Sequence, residues 1–308
     1  MEELFYNKLK AIVSERQIKL DEPMENHTSL HIGGKVDYLV LPESVEEIKE
    51  VIALCRQSGM PYYVIGNGSN LLVSDSGYRG LIIKLGENFS KAEVKEDGII
   101  CAQAGILLSK LANIAAEHSL TGLEFASGIP GTLGGAVTMN AGAYDGEMKQ
   151  CLLRARLLDE EGNVLEYDVE QLQMGYRKSI LQSLPYIVLE ADIKLVSGDK
   201  ELIRLKLNTL NRQRREKQPL DKFSAGSTFK RPEGYFAGKL IADAGLRGYQ
   251  VGDAAVSEKH CGFIINKEHA TARDFLKVME DVSRIVYEKF GVRLEPEVKM
   301  LGDFSADK

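Results

Sequence analysis

Two glycine-rich segments, which begin at Gly66 and Gly128, constrain this chain more than any other feature of its sequence. They read Gly66-Asn67-Gly68-Ser69-Asn70-Leu71-Leu72 and Gly128-Ile129-Pro130-Gly131-Thr132-Leu133-Gly134-Gly135-Ala136. Because glycine accepts positive φ and has no Cβ, such loops let backbone amides approach phosphate oxygens closely. Either segment alone is explained equally well as a pair of tight turns, but together they favour a site for a large, phosphate-bearing cofactor.

Two common phosphate-binding patterns do not fit these segments. A Rossmann fingerprint and a Walker loop both require a helix directly after the glycines. The residues Ser69 to Val73, which follow the first glycines, are typical of a strand, and the chain contains no Gly-Lys-Ser or Gly-Lys-Thr sequence. The sequence therefore predicts neither of these patterns.

The clearest secondary structure precedes the first glycine-rich segment. Val36 to Leu41 is a short apolar strand, and Ser44 with Glu47 has the pattern of a capping box before a helix that Gly59 ends. Pro61 to Ile65 is a second strand. This β-α-β unit leads directly into the glycines, which is a usual position for a ligand in α/β folds.

The rest of the chain alternates between helical and β patterns. We predict a helix over Leu107–His118, a hairpin of Arg156–Asp159 with Val164–Tyr167, a strand over Ile187–Val196, helices over Glu201–Lys217 and from Thr271 to Gly291, and a final strand over Val292–Leu301. No internal repeat is present.

The predicted helix over residues 201–217 combines an apolar stripe with a basic end. The stripe consists of Leu202, Leu205, Leu207 and Leu210, and the basic end of Arg212, Arg214, Arg215 and Lys217. Cations suit the carboxyl end of a helix, so a solvated cluster explains the arginines as well as ligand contacts do. A domain boundary is expected near this helix.

Composition and charge limit the class of protein. The chain has 308 residues and a mass of 34.1 kDa, enough for two or three domains, and its net charge of −6 argues against bulk nucleic-acid binding. No apolar run reaches the roughly 18 residues of a membrane span, and Met1-Glu2-Glu3-Leu4 lacks the positive region of a secretory signal. We therefore expect a cytoplasmic protein without membrane insertion. The widely spaced cysteines are expected to be reduced, mostly buried thiols.

Five motifs resemble, in their order along the chain, those of one family of flavoenzymes. They are Gly66-Asn-Gly-Ser-Asn-Leu-Leu, Gly128-Ile-Pro-Gly-Thr-Leu-Gly-Gly, Gly175-Tyr-Arg-Lys-Ser179, Ala225-Gly-Ser-Thr-Phe-Lys230 and Leu294-Glu-Pro-Glu-Val298. This set is similar to that of the UDP-N-acetylenolpyruvylglucosamine reductases, which act in peptidoglycan precursor synthesis. Agreement of five motifs over nearly the whole chain is far more specific than any one motif.

The resemblance implies an α+β protein with a two-lobed FAD-binding domain of the vanillyl-alcohol-oxidase type and a smaller α+β substrate-binding domain. We place the FAD-binding lobes at residues 1–66 and 67–205 and the substrate-binding domain at 206–308. FAD is the implied cofactor, NADPH the reductant, and UDP-N-acetylglucosamine enolpyruvate, a UDP-sugar enolpyruvyl ether, the small-molecule substrate. We expect a monomer that binds no nucleic acid.

By the same resemblance, the first segment holds the pyrophosphate of FAD and the second lies along the cofactor toward its flavin ring. The implied cofactor-binding residues are Gly66, Asn67, Gly68, Ser69, Asn70, Gly128, Pro130, Gly131, Gly134 and Gly135.

Three residues are implied to carry the chemistry. Hydride arriving at the terminal alkene carbon leaves negative charge on the neighbouring carbon, which the carboxylate shares as an enolate. Arg177 meets this charge, because a guanidinium stays ionised and binds a carboxylate with two hydrogen bonds. Ser227 matches the proton donor, although a hydroxyl is a weak acid that needs assistance. Glu297 is implied to lie close to the carboxylate and to hold or protonate the enolate.

Four further positions are implied to contact the substrate. They are Tyr176, Lys217, Arg231 and His260. Lys217 matches a lysine that binds the substrate phosphates, whereas packing explains Tyr176 equally well. His27 and His31 have the i, i+4 spacing of metal ligands, but the glycines that follow favour a structural role, and no metal site is predicted.

Two other functions stay open on the sequence. A flavin oxidase of the same fold would act on an alcohol with oxygen, but it leaves Ser227 and the Glu297 motif unexplained. A nucleotide-binding or scaffold protein without turnover is disfavoured by the intact Arg177, Ser227 and Glu297. The chain also resembles the shorter family members that lack a lid insertion carrying a tyrosine, because Lys178 to Leu184 are all that separate Arg177 from Pro185.

Overall fold

The computed structural model describes residues 2–305, and the chain forms two compact units. The first unit comprises Met1–Lys19, Tyr38–Asn67 and Gly80–Arg214, and the second comprises Leu20–Asp37, Gly68–Arg79 and Arg215–Lys308. Met1 and residues 306–308 lie outside the described residues. Two predictions include them: that Met1 to Leu4 lacks the positive region of a secretory signal, and that the substrate-binding domain extends to residue 308. The predicted division by function at residues 66 and 205 stays a prediction.

Helices and strands occur in both units. The helices are α1 (Glu2–Ile12), α2 (Val45–Ser58), α3 (Leu108–Glu117), α4 (Leu133–Met139), α5 (Lys200–Lys217), α6 (Ala237–Asp243) and α7 (Ala272–Phe290). The strands are β1 (Ile18–Pro23), β2 (Lys35–Val40), β3 (Tyr62–Ile65), β4 (Leu71–Val73), β5 (Tyr78–Lys84), β6 (Ala92–Val94), β7 (Ile99–Gln103), β8 (Leu120–Thr121), β9 (Gly142–Ala143), β10 (Gly146–Glu147), β11 (Leu152–Leu158), β12 (Val164–Asp168), β13 (Ile187–Lys194), β14 (Val196–Ser197), β15 (Phe223–Ser224), β16 (Gln250–Val251), β17 (Ala254–Val256), β18 (Ile264–Asn266) and β19 (Lys299–Leu301). This mixed content agrees with the predicted α+β class. Among residues 2–305, no helix has both the length and the apolar character needed to cross a membrane.

Helix α2 begins and ends at the predicted signals. The Ser44 hydroxyl accepts a hydrogen bond from the Glu47 amide at 3.1 Å, and Gly59 ends the helix with φ of +64°. The second half of the predicted capping box is wrong. The Glu47 carboxylate instead accepts hydrogen bonds from the Glu43 amide at 2.7 Å and from the Gln17 side chain at 2.8 Å. Both donors precede the cap residue Ser44 in the chain. Glu47 therefore fixes the direction in which the chain enters the helix.

A five-stranded antiparallel sheet of order β12-β11-β13-β7-β6 forms the centre of the first unit. Its β11–β12 hairpin is as predicted, with Leu158 opposite Val164 and a hydrogen bond of 3.0 Å from the Asp159 amide to the Asn163 carbonyl. Helix α4 contacts β13 and β7. The apolar face of this sheet belongs to one continuous hydrophobic cluster that also includes Phe89 and Leu133.

Helix α5 begins one residue before the predicted start and ends at the predicted Lys217, but it does not have the predicted buried face. Ile203 and Leu207 are buried, whereas Leu202 and Leu205 are 65% and 62% exposed. The predicted stripe is therefore wrong at two positions. Ile203, Leu207 and the half-buried Leu210 follow the i, i+4, i+7 spacing that defines one helical face.

The second unit has its own sheet and its own core. Strands β15, β18, β17 and β16 pair antiparallel in that order, and helix α7 contacts β16, β17 and β18. Thr271 caps α7, because its hydroxyl accepts from the Asp274 amide and the Asp274 carboxylate accepts from the Thr271 amide, both at 3.1 Å. Gly291 ends the helix with φ of +68°. Phe275 and Val282 are fully buried in this core.

The last predicted strand is much shorter than expected. Strand β19 covers Lys299–Leu301 and pairs in parallel with β4, while Pro296 forms an isolated bridge with Phe229. The prediction of a strand over residues 292–301 is therefore wrong. Proline has no amide hydrogen to donate to a ladder, so regular pairing is interrupted before Lys299.

The cysteines and the paired histidines have structural surroundings. All four cysteines are free thiols, three of them buried, and burial raises the pKa of the Cys55 thiol to about 12. In the second unit, His27 Nε2 lies 2.7 Å from a Glu22 carboxylate oxygen. The His31 ring stacks on Phe223 at 3.9 Å between centroids. The two histidines therefore face different partners.

Candidate functional site

The start of the first glycine-rich segment packs against the second segment within the first unit. The Asn67 side-chain amide donates to the Pro130 carbonyl at 2.7 Å. A Cβ on Gly66 would overlap the hydroxyl of Thr132, which is buried. The two segments are thus joined although more than 60 residues of chain separate Gly66 from Pro130.

The second segment lies close to strand β7 and opens helix α4. The Gly134 amide donates to the Ala104 carbonyl at 2.8 Å, and a Cβ on Gly134 would lie 2.9 Å from the Ala104 Cβ. The Gly131 carbonyl accepts from the Leu108 amide at 3.0 Å. Helix α4 is absent from the predicted elements, because glycines at positions 134 and 135 weaken a helical pattern.

Gly135 has no packing reason to be glycine. A Cβ at this position would meet Thr132 Oγ1 at 3.8 Å, which is an ordinary contact, and its φ is not positive. The missing side chain therefore leaves open backbone at the start of α4 that the fold itself does not require. Open backbone of this kind permits close approach of a ligand.

The remaining residues of the first segment belong to the second unit. Gly68 has φ of +60°, and a Cβ there would overlap the His27 carbonyl oxygen. The backbone amides of Gly68 and Ser69 donate no hydrogen bond to any other residue between 2 and 305. Consecutive amides without a protein acceptor suit the oxygens of a phosphate group. The Asn70 side chain donates to the Glu297 carbonyl at 3.1 Å.

Tyr176 and Arg177 form the tip of a tight turn in the first unit. The amides of Gly175 and Lys178 donate to each other's carbonyls at 2.9 and 3.1 Å. Arg177 has φ of +52°, a conformation that residues other than glycine adopt at an energetic cost. Such strain is often kept where a side chain must be aimed at a ligand, and it supports the predicted role of Arg177.

The residues that directly follow helix α4 hold this turn. Arg177 Nη2 donates to the Gly142 carbonyl at 2.7 Å, and its guanidinium carbon lies 5.5 Å from the ring centre of Tyr176. The buried Asn140 donates to the Gly175 carbonyl at 2.9 Å. Asn140 is not among the predicted site residues. Asparagine is common directly after a helix, at the position where φ is positive, and this pattern is the sequence signal that could have pointed to it. The Ser179 hydroxyl donates to the Thr138 carbonyl at 2.6 Å, which attaches the short connection after Arg177 to α4.

Three segments that carry predicted residues lie side by side in the second unit. The Glu297 amide donates to the Thr228 carbonyl at 2.8 Å, and the Thr228 amide donates to the Gly262 carbonyl at 2.9 Å. Ser227 directly precedes Thr228, and His260 lies two residues before Gly262. The structure therefore brings the backbone segments of Ser227, His260 and Glu297 together.

The two glutamates of the last motif have different surroundings. Glu295 is exposed, and its carboxylate accepts from the Lys230 ammonium group at 3.2 Å. Glu297 is half-buried. Of the two, Glu297 is therefore the less solvated carboxylate and the better candidate for an enclosed site.

His260 is held as a neutral imidazole. Its Nδ1 accepts a hydrogen bond from the Gly262 amide at 3.2 Å, and its ring meets the Phe263 ring edge-on at 4.9 Å. Burial lowers the pKa of His260. Because Nδ1 is the acceptor, the ring hydrogen is assigned to Nε2, which can donate to a ligand.

Arg231 and Lys217 occupy less enclosed positions in the second unit. Arg231 Nε donates to the Tyr235 carbonyl at 3.2 Å, and its guanidinium carbon lies 3.9 Å from the ring centre of Phe236. Lys217 is the last residue of α5 and is exposed. Its side chain has no hydrogen bond or ion pair with the residues that the structure describes.

Comparisons with known proteins give the family. A family model described as FAD binding domain matches residues 36–168, and one described as UDP-N-acetylenolpyruvoylglucosamine reductase, C-terminal domain, matches residues 218–301. A protein of that name from Lachnoclostridium phytofermentans is 52% identical over 98% of this chain and 99% of its own length. The chain belongs to the UDP-N-acetylenolpyruvoylglucosamine reductase family.

Other relatives and solved structures agree with this family. A reductase of the same name from Caldanaerobacter subterraneus is 52% identical over 98% of this chain and all of its own length. The crystal structure of the reductase from Thermus caldophilus superposes with a TM-score of 0.78 at 38% identity, covering 92% of this chain and 98% of that one. A 4-ethylphenol oxidase from Gulosibacter chungangensis, 15% identical with a TM-score of 0.50 over 63% of this chain and 42% of its own, shares the fold alone.

The comparisons confirm several of the predictions. The predicted family, the α+β fold with an FAD-binding domain, and FAD as cofactor are confirmed. The protein is an oxidoreductase, as predicted. The roles of single residues stay predictions.

Replacing Gly66 with alanine tests the contact between the glycine-rich segments. The new Cβ would overlap Thr132 Oγ1 and would lie 3.2 Å from both Thr132 Cβ and Cγ2, so the two segments must separate. We expect the purified Gly66→Ala protein to lose most of its bound FAD, measured as flavin absorbance per chain.

Gly175→Ala is the matched control for this change. A Cβ at Gly175 meets nothing within 4 Å, and its φ is not positive. This control should retain wild-type flavin content. Wild-type flavin content in Gly66→Ala would show that close packing of the segments is not needed for the cofactor.

The pH dependence of stability should contain a contribution from His260. Its native pKa is lowered, so the unfolded chain binds the proton more readily than the native protein. Stability is therefore lost as pH falls from the unfolded pKa of about 6.5 toward the lower native value. Urea unfolding between pH 5 and 8 should show a weaker acid decline in His260→Gln, whereas the exposed His269→Gln should match wild type. Equal declines in all three proteins would contradict this assignment.

Proposed function

We propose that this protein catalyses the FAD-dependent, NADPH-driven reduction of UDP-N-acetylglucosamine enolpyruvate to UDP-N-acetylmuramate, in the cytoplasm, as a step of peptidoglycan precursor synthesis. The observation that carries this proposal is the backbone pairing beside Ser227 and Glu297 in the second unit. A flavin oxidase would need the FAD-binding domain but would need neither of these residues. The pairing of their backbone segments favours a reaction that ends in proton transfer.

The residues of the two glycine-rich segments fit FAD. The amides of Gly68 and Ser69 suit its diphosphate, and the bare backbone at Gly135 permits close approach to the start of α4. We assign the ten predicted glycine-segment residues to cofactor binding. Held by these residues, FAD would supply the hydride that reduces the terminal alkene carbon of the substrate, with NADPH as the source of that hydride.

Arg177 is assigned to the substrate carboxylate. As the alkene is reduced, negative charge builds on the carbon beside this carboxylate and spreads into it. A guanidinium that is fixed before the reaction stabilises such charge without further reorganisation. The hydrogen bond to Gly142 and the strained backbone at Arg177 both fix the orientation of the side chain.

Ser227 and Glu297 are assigned to proton transfer. The Ser227 hydroxyl donates a proton to the enolate carbon, and its oxygen must then be stabilised or reprotonated. Glu297 lies on the segment that pairs with the neighbouring Thr228, and it holds or protonates the enolate. The Glu297 amide and the amide of Thr228, directly after Ser227, are both hydrogen-bonded to neighbouring segments, which suits precise placement.

The remaining assignments concern the UDP-sugar. The exposed ammonium group of Lys217 suits the substrate diphosphate. His260 donates from Nε2 to a substrate acceptor, and Arg231 and Tyr176 supply further polar and aromatic contacts. These contacts determine binding rather than the chemistry itself.

Anaerobic turnover tests the proposal. Purified holoprotein should oxidise NADPH continuously when UDP-N-acetylglucosamine enolpyruvate is present, with one UDP-N-acetylmuramate formed per NADPH and identified by mass spectrometry. NADPH oxidation that stops after the bound flavin is reduced, with or without this substrate, would refute it. Rapid oxygen consumption with simple alcohols would favour the oxidase instead.

A further inference from the structure

One arginine at the basic end of α5 differs from its neighbours. Arg212 and Arg215 are exposed, whereas Arg214 is half-buried. Burial also lowers the pKa of the Arg214 guanidinium, as expected when a charged group is partly removed from water. A solvated cluster explains Arg212 and Arg215 but does not explain Arg214.

Arg214 lies directly against the start of the second glycine-rich segment. A Cβ on Gly128 would lie 2.8 Å from Arg214 Cδ, 3.4 Å from its Nη1 and 3.0 Å from Asn211 Oδ1. The Asn211 oxygen also accepts from the Ser127 hydroxyl at 3.3 Å. Glycine at position 128 thus lets the stem of Arg214 lie along the segment that is assigned to the cofactor.

Within the part of the chain that the structure describes, no acidic group pairs with Arg214. Its guanidinium forms no ion pair or hydrogen bond with the residues described, 2–305, and Tyr144 acts on its pKa in the opposite direction to burial. Arg154, in the same unit, contrasts with it, because Arg154 pairs with Asp192 at 2.7 Å and Glu166 at 3.0 Å. A partly desolvated cation without a partner costs stability, so the fold gains nothing electrostatically from Arg214.

We propose that Arg214 is a binding residue whose partner is an anionic oxygen of a phosphate or carboxylate brought by a ligand. Two ligands of the proposed reaction carry such oxygens: FAD in its diphosphate, and the substrate in its diphosphate and carboxylate. A guanidinium binds these groups through two parallel hydrogen bonds. The proposal rests on the proposed function for the identity of the substrate, and on the confirmed FAD-binding domain for the cofactor.

Arg214→Gln is the test variant, because it removes the charge but keeps a polar side chain of similar reach. Arg215→Gln is the matched control, since it removes the same charge from the exposed neighbouring position. The first arm measures the dissociation constant of FAD by fluorescence titration of the apoprotein. The second arm measures that of UDP-N-acetylglucosamine enolpyruvate from the change in flavin absorbance of the oxidised holoprotein.

We expect Arg214→Gln to weaken at least one of these affinities by about tenfold or more, as loss of a hydrogen-bonded charge does. Weaker FAD binding would assign the anion to the cofactor, and weaker substrate binding would assign it to the substrate. Both results would support the proposal if Arg215→Gln stays at wild-type affinity. Wild-type affinity of Arg214→Gln in both arms would overturn it.

A third measurement separates binding from structure. If Arg214 is uncompensated in the apoprotein, Arg214→Gln should be at least as resistant to urea as wild-type apoprotein, whereas a structural arginine would leave the variant less stable. Reduced stability of the variant apoprotein would count against the proposal. If Arg214→Gln does not fold, Arg214→Lys replaces it, and unchanged affinity for both ligands in that folded variant would overturn the proposal. If the wild-type protein binds no enolpyruvyl ether, the proposed function fails while the FAD and stability arms still decide Arg214.

Discussion

Ser227→Ala is expected to lower the rate of UDP-N-acetylmuramate formation by about 10²–10⁴-fold, the usual effect of losing a positioned acid. The hydroxyl acts on the substrate carbon after hydride has arrived, so reduction of the bound flavin by NADPH should keep its wild-type rate. Stopped-flow absorbance measures the reduction, and product analysis measures the turnover. A slow second step with an unchanged first step would identify Ser227 as the proton donor.

Ser224→Ala is the control for this variant. Ser224 lies in the same stretch of the second unit, and its backbone carbonyl, not its hydroxyl, accepts a bond from Ser29. Turnover of Ser224→Ala should equal that of wild type. If Ser227→Ala also turned over at the wild-type rate, proton transfer would have to be assigned elsewhere, with the half-buried Glu297 as the next candidate.

Arg177→Lys is expected to lower kcat/KM for the enolpyruvyl ether by about 10²–10³-fold, the range seen when one preorganised donor to developing charge is lost. Lysine keeps the positive charge but cannot bind a carboxylate with two parallel hydrogen bonds. It also loses the bond from Nη2 to the Gly142 carbonyl, which fixes the side chain. Steady-state kinetics at saturating NADPH measure the effect.

The exposed Lys178 provides a matched control for Arg177. It follows Arg177 directly in the turn and carries the same charge. Lys178→Gln should change kcat/KM by less than about threefold, as exposed substitutions usually do. Equal losses in both variants would mean that the net charge of the turn matters rather than the Arg177 guanidinium.

Local signals made part of this fold predictable. The start and end of α2 and α7 depend on Ser44, Thr271, Gly59 and Gly291, and each acts on backbone groups within one helical turn. The β11–β12 hairpin likewise depends on the five residues between its strands. Because these interactions are local, a single sequence is enough to place them.

Long-range pairing was not predictable in the same way. Asn70 donates to the carbonyl of Glu297, 227 residues away, and this contact joins the end of the first glycine-rich segment to the last motif. Residues 68–79 accordingly belong to the second unit, although the chain enters them from the first. No local pattern encodes such a partner, since any apolar strand could in principle pair there.

The candidate site likewise combines features that the sequence predicts with features that depend on long-range packing. The resemblance supplied Arg177, Ser227 and Glu297 as candidates. It did not supply the strained backbone at Arg177 or the hydrogen bond from Asn140 to that turn. It also ranked Lys217 above Arg214, because the sequence shows which residues at this helix end are charged but not which of them are buried. Burial depends on tertiary packing, and here it separates one arginine from its neighbours.

One measurement tests the proposed reaction most directly. The holoprotein is reduced anaerobically with one equivalent of NADPH, separated from NADP⁺, and mixed with UDP-N-acetylglucosamine enolpyruvate. We predict that flavin absorbance returns fully, with one UDP-N-acetylmuramate formed per flavin, and that UDP-N-acetylglucosamine leaves the flavin reduced. Flavin that stays reduced with both sugars until oxygen is admitted would contradict the proposed function.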